Sequence, residues 1–414
     1  MDFLRNLIKG DKAIWIVFML LCLTSIIEVF SASSTLTYKS GNHWGPISSH
    51  LMMLAIGTII VIGVHRIPCR WFRAGIILLP ISWVMLVSVF IIGSLTNGAR
   101  RWIDMGLFQF QPSEVAKMAT IITVAFLLSK AQEDDGTNNK VMKNILKVTG
   151  VTCLLIFTEN LSTAVLIAVT VYLMMFIGRV PWKQMLKLSL IAIGAAVIAV
   201  STISLVPAHT WDSIGLHRMT TWQNRFKDHL NPQNIPAAKF NINENAQVAH
   251  ANIAIATSNV VGKGPGNSVQ RDFLSQAFSD FIYAIIIEEL GLVGGGFIVI
   301  LYLFLLIRIG KVARNCDKSF YAFLVIGIGL IIVIQAMFNM LVAVGIMPVT
   351  GQPLPLISKG GTSTLINCVY IGIVLSVSKH VNDLKEERRE EELMNAMATT
   401  EAERTEIKST TEQN

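Results

Sequence analysis

Long apolar runs, separated by short basic loops, recur along the whole 414-residue chain. No soluble fold accommodates that pattern. A bilayer's hydrocarbon core is about 30 Å thick, so a crossing helix needs about 20 mostly apolar residues. Runs of this kind cover 13–30, 50–64, 75–95, 114–129, 145–158, 163–177, 188–206, 281–307, 320–346 and 362–377. The expected fold is therefore an all-α integral membrane protein with ten transmembrane helices. Composition agrees: 15% of residues are charged, against about 25% in a soluble domain. The first run has basic residues before it and Ser31, Ala32 and Ser33 behind it, as a secretory signal would. It is long enough to span, and no soluble domain follows it.

Charge sets the orientation. Lys and Arg concentrate in cytoplasmic loops. With ten spans and both termini inside, the inner loops carry Arg66, Arg70 and Arg73, then Lys130, Lys140, Lys143 and Lys147. Arg179, Lys183 and Lys187 follow, then Arg308, Lys311, Arg314 and Lys318. The short outer loops hold only Lys39, Arg100, Arg101 and Lys359. The reading is a multi-pass protein of a bacterial cytoplasmic membrane, polytopic over 1–381, with a charged cytoplasmic tail over 382–414, a short helix fading into disorder. Without the stretch from Asp383 onward, basic residues outnumber acidic ones 29 to 17. That excess suits anionic lipid. No basic stripe interleaved with aromatics points to nucleic acid.

One large extracytoplasmic loop, 207–279 between spans 7 and 8, breaks the pattern. Structureless loops of this length are usually functional or disordered. It holds Arg218, Arg225, Lys227, Lys239, Lys263 and Arg271 against four acids, so it either binds an anionic ligand or is simply solvated. Its histidines, His209, His217, His229 and His250, lack zinc-site spacing, and the five cysteines make no metal or redox motif.

Ionisable groups inside spans are costly and informative. Glu28 lies near an outer end and can reach the interface. Glu114 and Lys117, at i,i+3, share a helix face and form either an internal ion pair or, with Arg100, Arg101 and Trp102, an outer site. At least one of Glu288 and Glu289 must face the bundle interior; Glu288 lies about 12 Å beyond Asp280 on a helix, so it is expected to bond a neighbouring helix. Asp280, where the large loop meets the next span, is either a helix cap or a catalytic carboxylate.

Three blocks carry a resemblance. They are Gly98-Ala99-Arg100-Arg101-Trp102-Ile103 with Phe110-Gln111-Pro112-Ser113-Glu114 and Lys117; Ser279-Asp280-Phe281-Ile282-Tyr283-Ala284 with Glu288-Glu289-Leu290-Gly291; and Gly351-Gln352-Pro353-Leu354-Pro355-Leu356-Ile357-Ser358-Lys359-Gly360-Gly361-Thr362-Ser363. In this order they resemble the SEDS family of cell-wall polymerases over nearly the whole chain. Gly264-Pro265-Gly266-Asn267-Ser268-Val269-Gln270 is similar to a block of the division branch rather than the elongation branch. The chain departs from the family at Ser275-Gln276-Ala277-Phe278-Ser279, where Pro-Glu-Ala-His-Thr is usual, and at Lys359, where Tyr is usual. Glu159-Asn160-Leu161-Ser162-Thr163 replaces Pro-Asp-Leu-Gly-Thr.

The resemblance implies a peptidoglycan glycosyltransferase that polymerises lipid II into β-1,4 glycan strands at the outer membrane face, during septal synthesis. The donor linkage is α, so one displacement with inversion is implied, with a base taking the acceptor hydroxyl proton. Asp280 is the implied base. Arg100, Arg101, Glu114, Lys117, Arg225, Lys263, Ser358 and Lys359 are the implied substrate-binding residues. A divalent cation, Mg or Mn, could assist, but no carboxylate cage for one stands out. Implied partners are a class B penicillin-binding transpeptidase and other divisome membrane proteins. A lipid II flippase and an inactive scaffold are the rival readings.

Cysteines placed at Asn243 and Asn138 test the topology. An impermeant thiol reagent should label position 243 in intact spheroplasts and spare position 138; the reverse pattern inverts the chain.

Overall fold

The computed structural model describes residues 9–33, 45–96, 99–104, 109–133, 136–137, 139–157, 160–206, 211, 219–220, 222–223, 246–274 and 277–412. About half of the large loop, including Arg225, His209, His217 and His229, lies outside them, as do positions 138 and 243 and, of the altered segments, Glu159, Ser275 and Gln276. The described helices are α1 (Lys12–Ala32), α2 (Gly45–Arg66), α3 (Leu78–Ile92), α4 (Pro112–Lys130), α5 (Asn139–Phe157), α6 (Leu161–Ile177), α7 (Trp182–Leu205), α8 (Ala246–Ala256), α9 (Ile282–Arg314), α10 (Ser319–Ala343) and α11 (Thr362–Glu412). A 3-10 helix, Cys69–Ile77, leads into α3. A small antiparallel sheet, β1 (Ser94–Thr96), β2 (Ala99–Asp104) and β3 (Gln109–Phe110), joins α3 to α4.

The chain is an all-α membrane protein. Eight described helices are long and apolar enough to cross a bilayer. α6, with 17 residues, is apolar but shorter. α5 opens on Lys140, Lys143 and Lys147.

Each span separates a protein face from a lipid face. On α1, Ile14, Phe18, Leu21, Ser25, Glu28 and Ala32 are buried, a 4-3-4-3-4 spacing that keeps one stripe against its neighbours. Ile16, Met19, Leu23, Ile27 and Phe30 are exposed and face lipid. The start of α1 is fixed by Asp11, which accepts from Ala13 N (2.9 Å) and pairs with Arg308 of α9. α9 and α10 pack along α1, α4 and α6, while α7 is exposed on nearly every side.

The sequence pattern reads 281–307 as one uninterrupted span. The structure corrects this: α9 breaks at Gly291 (φ 72°, ψ −174°), and 282–289 is buried all round. Residues 292–314 span about 34 Å by themselves, so the first half need not cross the membrane. The break orphans carbonyls above it and N–H groups below it. The 257–274 segment satisfies both sets. Lys263 N and Gly264 N donate to the Glu288 and Glu289 carbonyls at 3.0 and 2.8 Å, and Leu292 N and Val293 N donate to the Asn259 and Val260 carbonyls.

α11 continues past the last span into the charged tail, where a short helix fading into disorder is the expectation, and runs to Glu412. Past Gly372 it contains neither Gly nor Pro, and Glu, Lys, Arg, Met and Ala are strong helix formers. Near the basic end of the bundle His380 of α11 meets Asp317 at 3.4 Å. Burial pushes the neighbouring Cys316 thiol up to about 12, which keeps it slow toward thiol reagents.

Gly262 (φ 82°) and Gly266 (φ 81°) separate two costs. A Cβ at Gly262 would lie 2.3 Å from the Glu289 carbonyl oxygen; at Gly266 it would meet nothing within 4 Å. Gly266→Ala should cost about 1–2 kcal/mol, the left-handed strain alone. Gly262→Ala should cost clearly more, because the loop must undock. Thermal unfolding in detergent reads the difference, and equal shifts would contradict the docking.

Candidate active site

The three sequence blocks converge at one end of the bundle, where α4, α9 and α11 begin and α10 ends. Their framework is the non-helical 351–361 segment. Such backbone is tolerated at membrane depth only when its polar groups are satisfied by protein or water. Here helix side chains satisfy them. Asn339 Nδ2 donates to the Gln352 carbonyl (2.8 Å) and Gln335 Nε2 to that of Pro353 (3.0 Å). Tyr302 OH donates to the Pro355 carbonyl, and Ser25 Oγ to that of Ile357 (2.6 Å). Gln352 Nε2 reaches Thr163 Oγ1 at 3.0 Å. Thr362 Oγ1 donates to the Gln109 carbonyl (2.6 Å), tying β3 to the start of α11.

Asp280 is held against this framework. Asn339 Nδ2 also donates to the Asp280 carbonyl (2.9 Å), so one amide bridges the Asp280 and Gln352 backbones. Ser279 Oγ donates to Asp280 Oδ1 (3.0 Å). Gly351, at φ 67°, leaves space beside the carboxylate: a Cβ there would stand 3.5 Å from Oδ2. Asp280 is half-buried. The N-cap of α9 is Phe281, which makes no side-chain capping bond, so Asp280 sits one residue outside the cap position, still within reach of the helix dipole.

The other candidates divide. Lys117 Nζ lies 2.9–3.0 Å from both Glu114 oxygens and donates to Gln335 Oε1 at 2.8 Å. Lys117 and Glu114 are 0% and 3% exposed. They are an interior ion pair bracing Gln335, not open groups of an outer rim. Ser358 Oγ donates to the Ser279 carbonyl (2.7 Å) and accepts from Leu354 N (2.8 Å), so its hydroxyl joins two backbones. Lys263 is engaged by Glu288 at 2.6 Å and Thr257 at 3.1 Å.

Lys359 stays with the site. Its backbone N donates to the Phe278 carbonyl (3.0 Å), and its amine lies 5.7 Å from the Phe278 ring centre. Burial holds that amine below the usual lysine range. Arg101 is half-buried on β2, beside Arg100, whose backbone pairs with Leu95.

Among the described bonds Glu288 reaches the 263–270 loop rather than the neighbouring helix expected for it, whereas Glu289 also accepts from Ser31 Oγ of α1. Their carboxylates collect the 263–270 loop. Glu288 accepts from Val269 N (3.1 Å), Gln270 N (3.3 Å) and Ser268 Oγ; Glu289 accepts from Gly266 N (2.8 Å), Ser268 N (3.2 Å) and Ser31 Oγ. The residues missed from sequence are Ser25, Thr163, Tyr302, Gln335 and Asn339. Their signal was a polar group inside an apolar helix. Among the described residues no group of three or more His, Cys, Asp or Glu side chains is placed to hold a metal ion.

Known proteins are similar to this chain over nearly its whole length. The family model FtsW/RodA/SpoVE, described as cell cycle protein, matches residues 11–383. The chain is 31% identical to the probable peptidoglycan glycosyltransferase FtsW of Coxiella burnetii over 386 residues, covering 90% of this chain and 98% of that one. It is 29% identical to the peptidoglycan glycosyltransferase MrdB of Escherichia coli K12 over 382 residues, covering 89% and 94%. Among solved structures it is similar to a chain from a peptidoglycan synthase complex that coordinates polymerization and crosslinking, with a TM-score of 0.73, 22% identity and coverage of 90% and 98%. It is also similar to the rod shape determining protein RodA of Thermus thermophilus, with a TM-score of 0.61, 20% identity and coverage of 89% and 96%.

The interior pair yields a test. Lys117→Met leaves Glu114 buried without its cation and should destabilise by about 3–5 kcal/mol. Adding Glu114→Gln should restore much of that. A double variant less stable than the single one would show that the pair is not the source of the loss.

Proposed function

The chain belongs to the FtsW/RodA/SpoVE family, and from that premise we propose that it polymerises lipid II into β-1,4 glycan strands, with Asp280 as general base. Its relatives from end to end are peptidoglycan glycosyltransferases, and this chain is an enzyme of that class. The observation that carries the reading is the placement of Asp280: a half-buried carboxylate, held by its own backbone to the 351–361 framework, with a glycine, Gly351, against its Oδ2.

The step needs few parts. The acceptor 4-hydroxyl oxygen attacks C1 of the donor sugar on the face opposite the pyrophosphate. The new C1–O bond forms as the C1–O bond to phosphate breaks, and the pyrophosphate leaves with that electron pair. Asp280 takes the hydroxyl proton. Loss of a general base costs about 10²–10⁴ in rate. Arg101 and Lys359 supply positive charge near the leaving group, and Lys359, half-dehydrated, is the stronger electrostatic partner. Arg100 and Arg225 stay candidates for the same role. Glu114, Lys117, Ser358 and Lys263 support the site through the contacts above.

In this reading the membrane part has ten spans with both termini cytoplasmic, and the 207–279 loop faces outward. The basic loops at the end of the bundle opposite Asp280 support it. Septal synthesis is supported by the Gly264–Gln270 block and the FtsW relative; similarity to MrdB is nearly as strong. A transpeptidase partner is supported by the likeness to a chain of a synthase complex. Depletion separates the two roles: filamentous cells support division, and swollen, rounded cells support elongation.

Asp280→Asn keeps the shape of the side chain and cannot take a proton. Strand synthesis from lipid II by the purified complex should fall by about 10²–10⁴ or more, with membrane level and partner binding unchanged. Near-normal synthesis would return Asp280 to a structural role.

A further inference from the structure

Glu28 is unlike every other acid in the chain's interior. It is 0% exposed, and neither carboxylate oxygen has a hydrogen-bond partner among the described residues. Its carboxylate is enclosed by protein, although its place in the sequence suggested that it could reach the interface. One turn further along α1, on the same helix face, Ser31 Oγ donates to Glu289 Oε1, which brings that carboxylate to the Glu28 side of the helix. A carboxylate in a span normally pairs or faces water.

The surrounding charges do not balance. Glu28, Glu288 and Glu289 are all 0% exposed. Lys263 compensates Glu288 at 2.6 Å. Arg271 Nη1 lies 3.9 Å from Glu289 Oε1 and donates to Ser31 Oγ at 2.9 Å. Arg271 also approaches Asp272, which is solvent-exposed. On the facing helix α2, His50 Nε2 is engaged by Ser25 Oγ at 2.8 Å. Three buried carboxylates thus meet two cations, and the missing unit of charge falls on Glu28.

We propose that Glu28 and Glu289 bracket a binding site for one small monovalent cation of the sodium class. Glu28 offers two free carboxylate oxygens. Glu289 Oε2 accepts only Gly266 N among the bonds described, which leaves it lone-pair capacity. A divalent ion would overcompensate the single missing charge. It would also require a larger set of oxygens, six to eight for calcium or a strict octahedron for magnesium. The bound ion joins α1 to Glu289, and so to the 263–270 loop that leads toward Asp280. Occupancy stiffens that loop.

The test compares full-length wild type with Glu28→Gln, purified in detergent, in sodium chloride or in choline chloride at equal ionic strength. Sodium should raise the wild-type unfolding temperature by a few degrees and slow tryptic cleavage at Lys263 about tenfold, as ligand linkage requires near tenfold saturation. Glu28→Gln should lose both responses. Sodium-23 linewidth on the wild type needs no variant, and broadening that lithium reverses supports the site. Three results overturn it: no sodium response in the wild type, an equal response in Glu28→Gln, or an acid-induced stabilisation without sodium that makes the missing charge a proton.

Discussion

Backbone that is not helical must find its hydrogen-bond partners inside the protein when it lies at membrane depth, and the 351–361 segment makes that demand on the whole bundle. Polar side chains from four helices answer it: Ser25 from α1, Tyr302 from α9, Gln335 and Asn339 from α10, with Thr163 of α6 receiving Gln352. Each buried carbonyl left unpaired would cost about 1–3 kcal/mol. The segment is therefore fixed by several spans at once. Asn339 extends the same framework to the Asp280 backbone, and Lys117 with Glu114 extends it beneath Gln335.

The break in α9 presents the same constraint a second time. Gly291 frees carbonyls and N–H groups, and the 257–274 segment pairs with them. The Glu288 and Glu289 side chains then collect the rest of that segment through its N–H groups and Ser268. Both ends of the site thus rest on backbone that wraps into the bundle, and side chains that look chemically active are drawn into support. Lys263 and Ser358 have the residue types of substrate contacts and the partners of structural ones.

Much of this was legible in the sequence, for physical reasons. Spans show because hydrocarbon thickness demands long apolar runs. The pairing of Glu114 with Lys117 shows because i,i+3 residues share a face. Other features were illegible because their cause is remote. Gln335 and Asn339 are single polar residues in an apolar helix, and their partners lie in a loop that sequence does not place. Gly291 resembles the adjacent Gly294, Gly295 and Gly296, which stay helical; only the docked loop distinguishes it. Glu28 looked interfacial because its depth depends on what packs over it. A charged helix beyond 382 was legible, but not its length, because charge signals solvation more loudly than it signals helix propensity.

The central claim is that Asp280 must be an ionised carboxylate when the acceptor hydroxyl is deprotonated. The most direct measurement is the pH dependence of strand synthesis from lipid II by the wild-type complex, under conditions where chemistry limits the rate. The account predicts a single acid limb, with the rate falling about tenfold per pH unit once Asp280 is protonated. It also predicts that this limb is missing from the residual rate of Asp280→Asn. A wild-type rate that stays flat until the protein unfolds, or an unchanged limb in the variant, would contradict it.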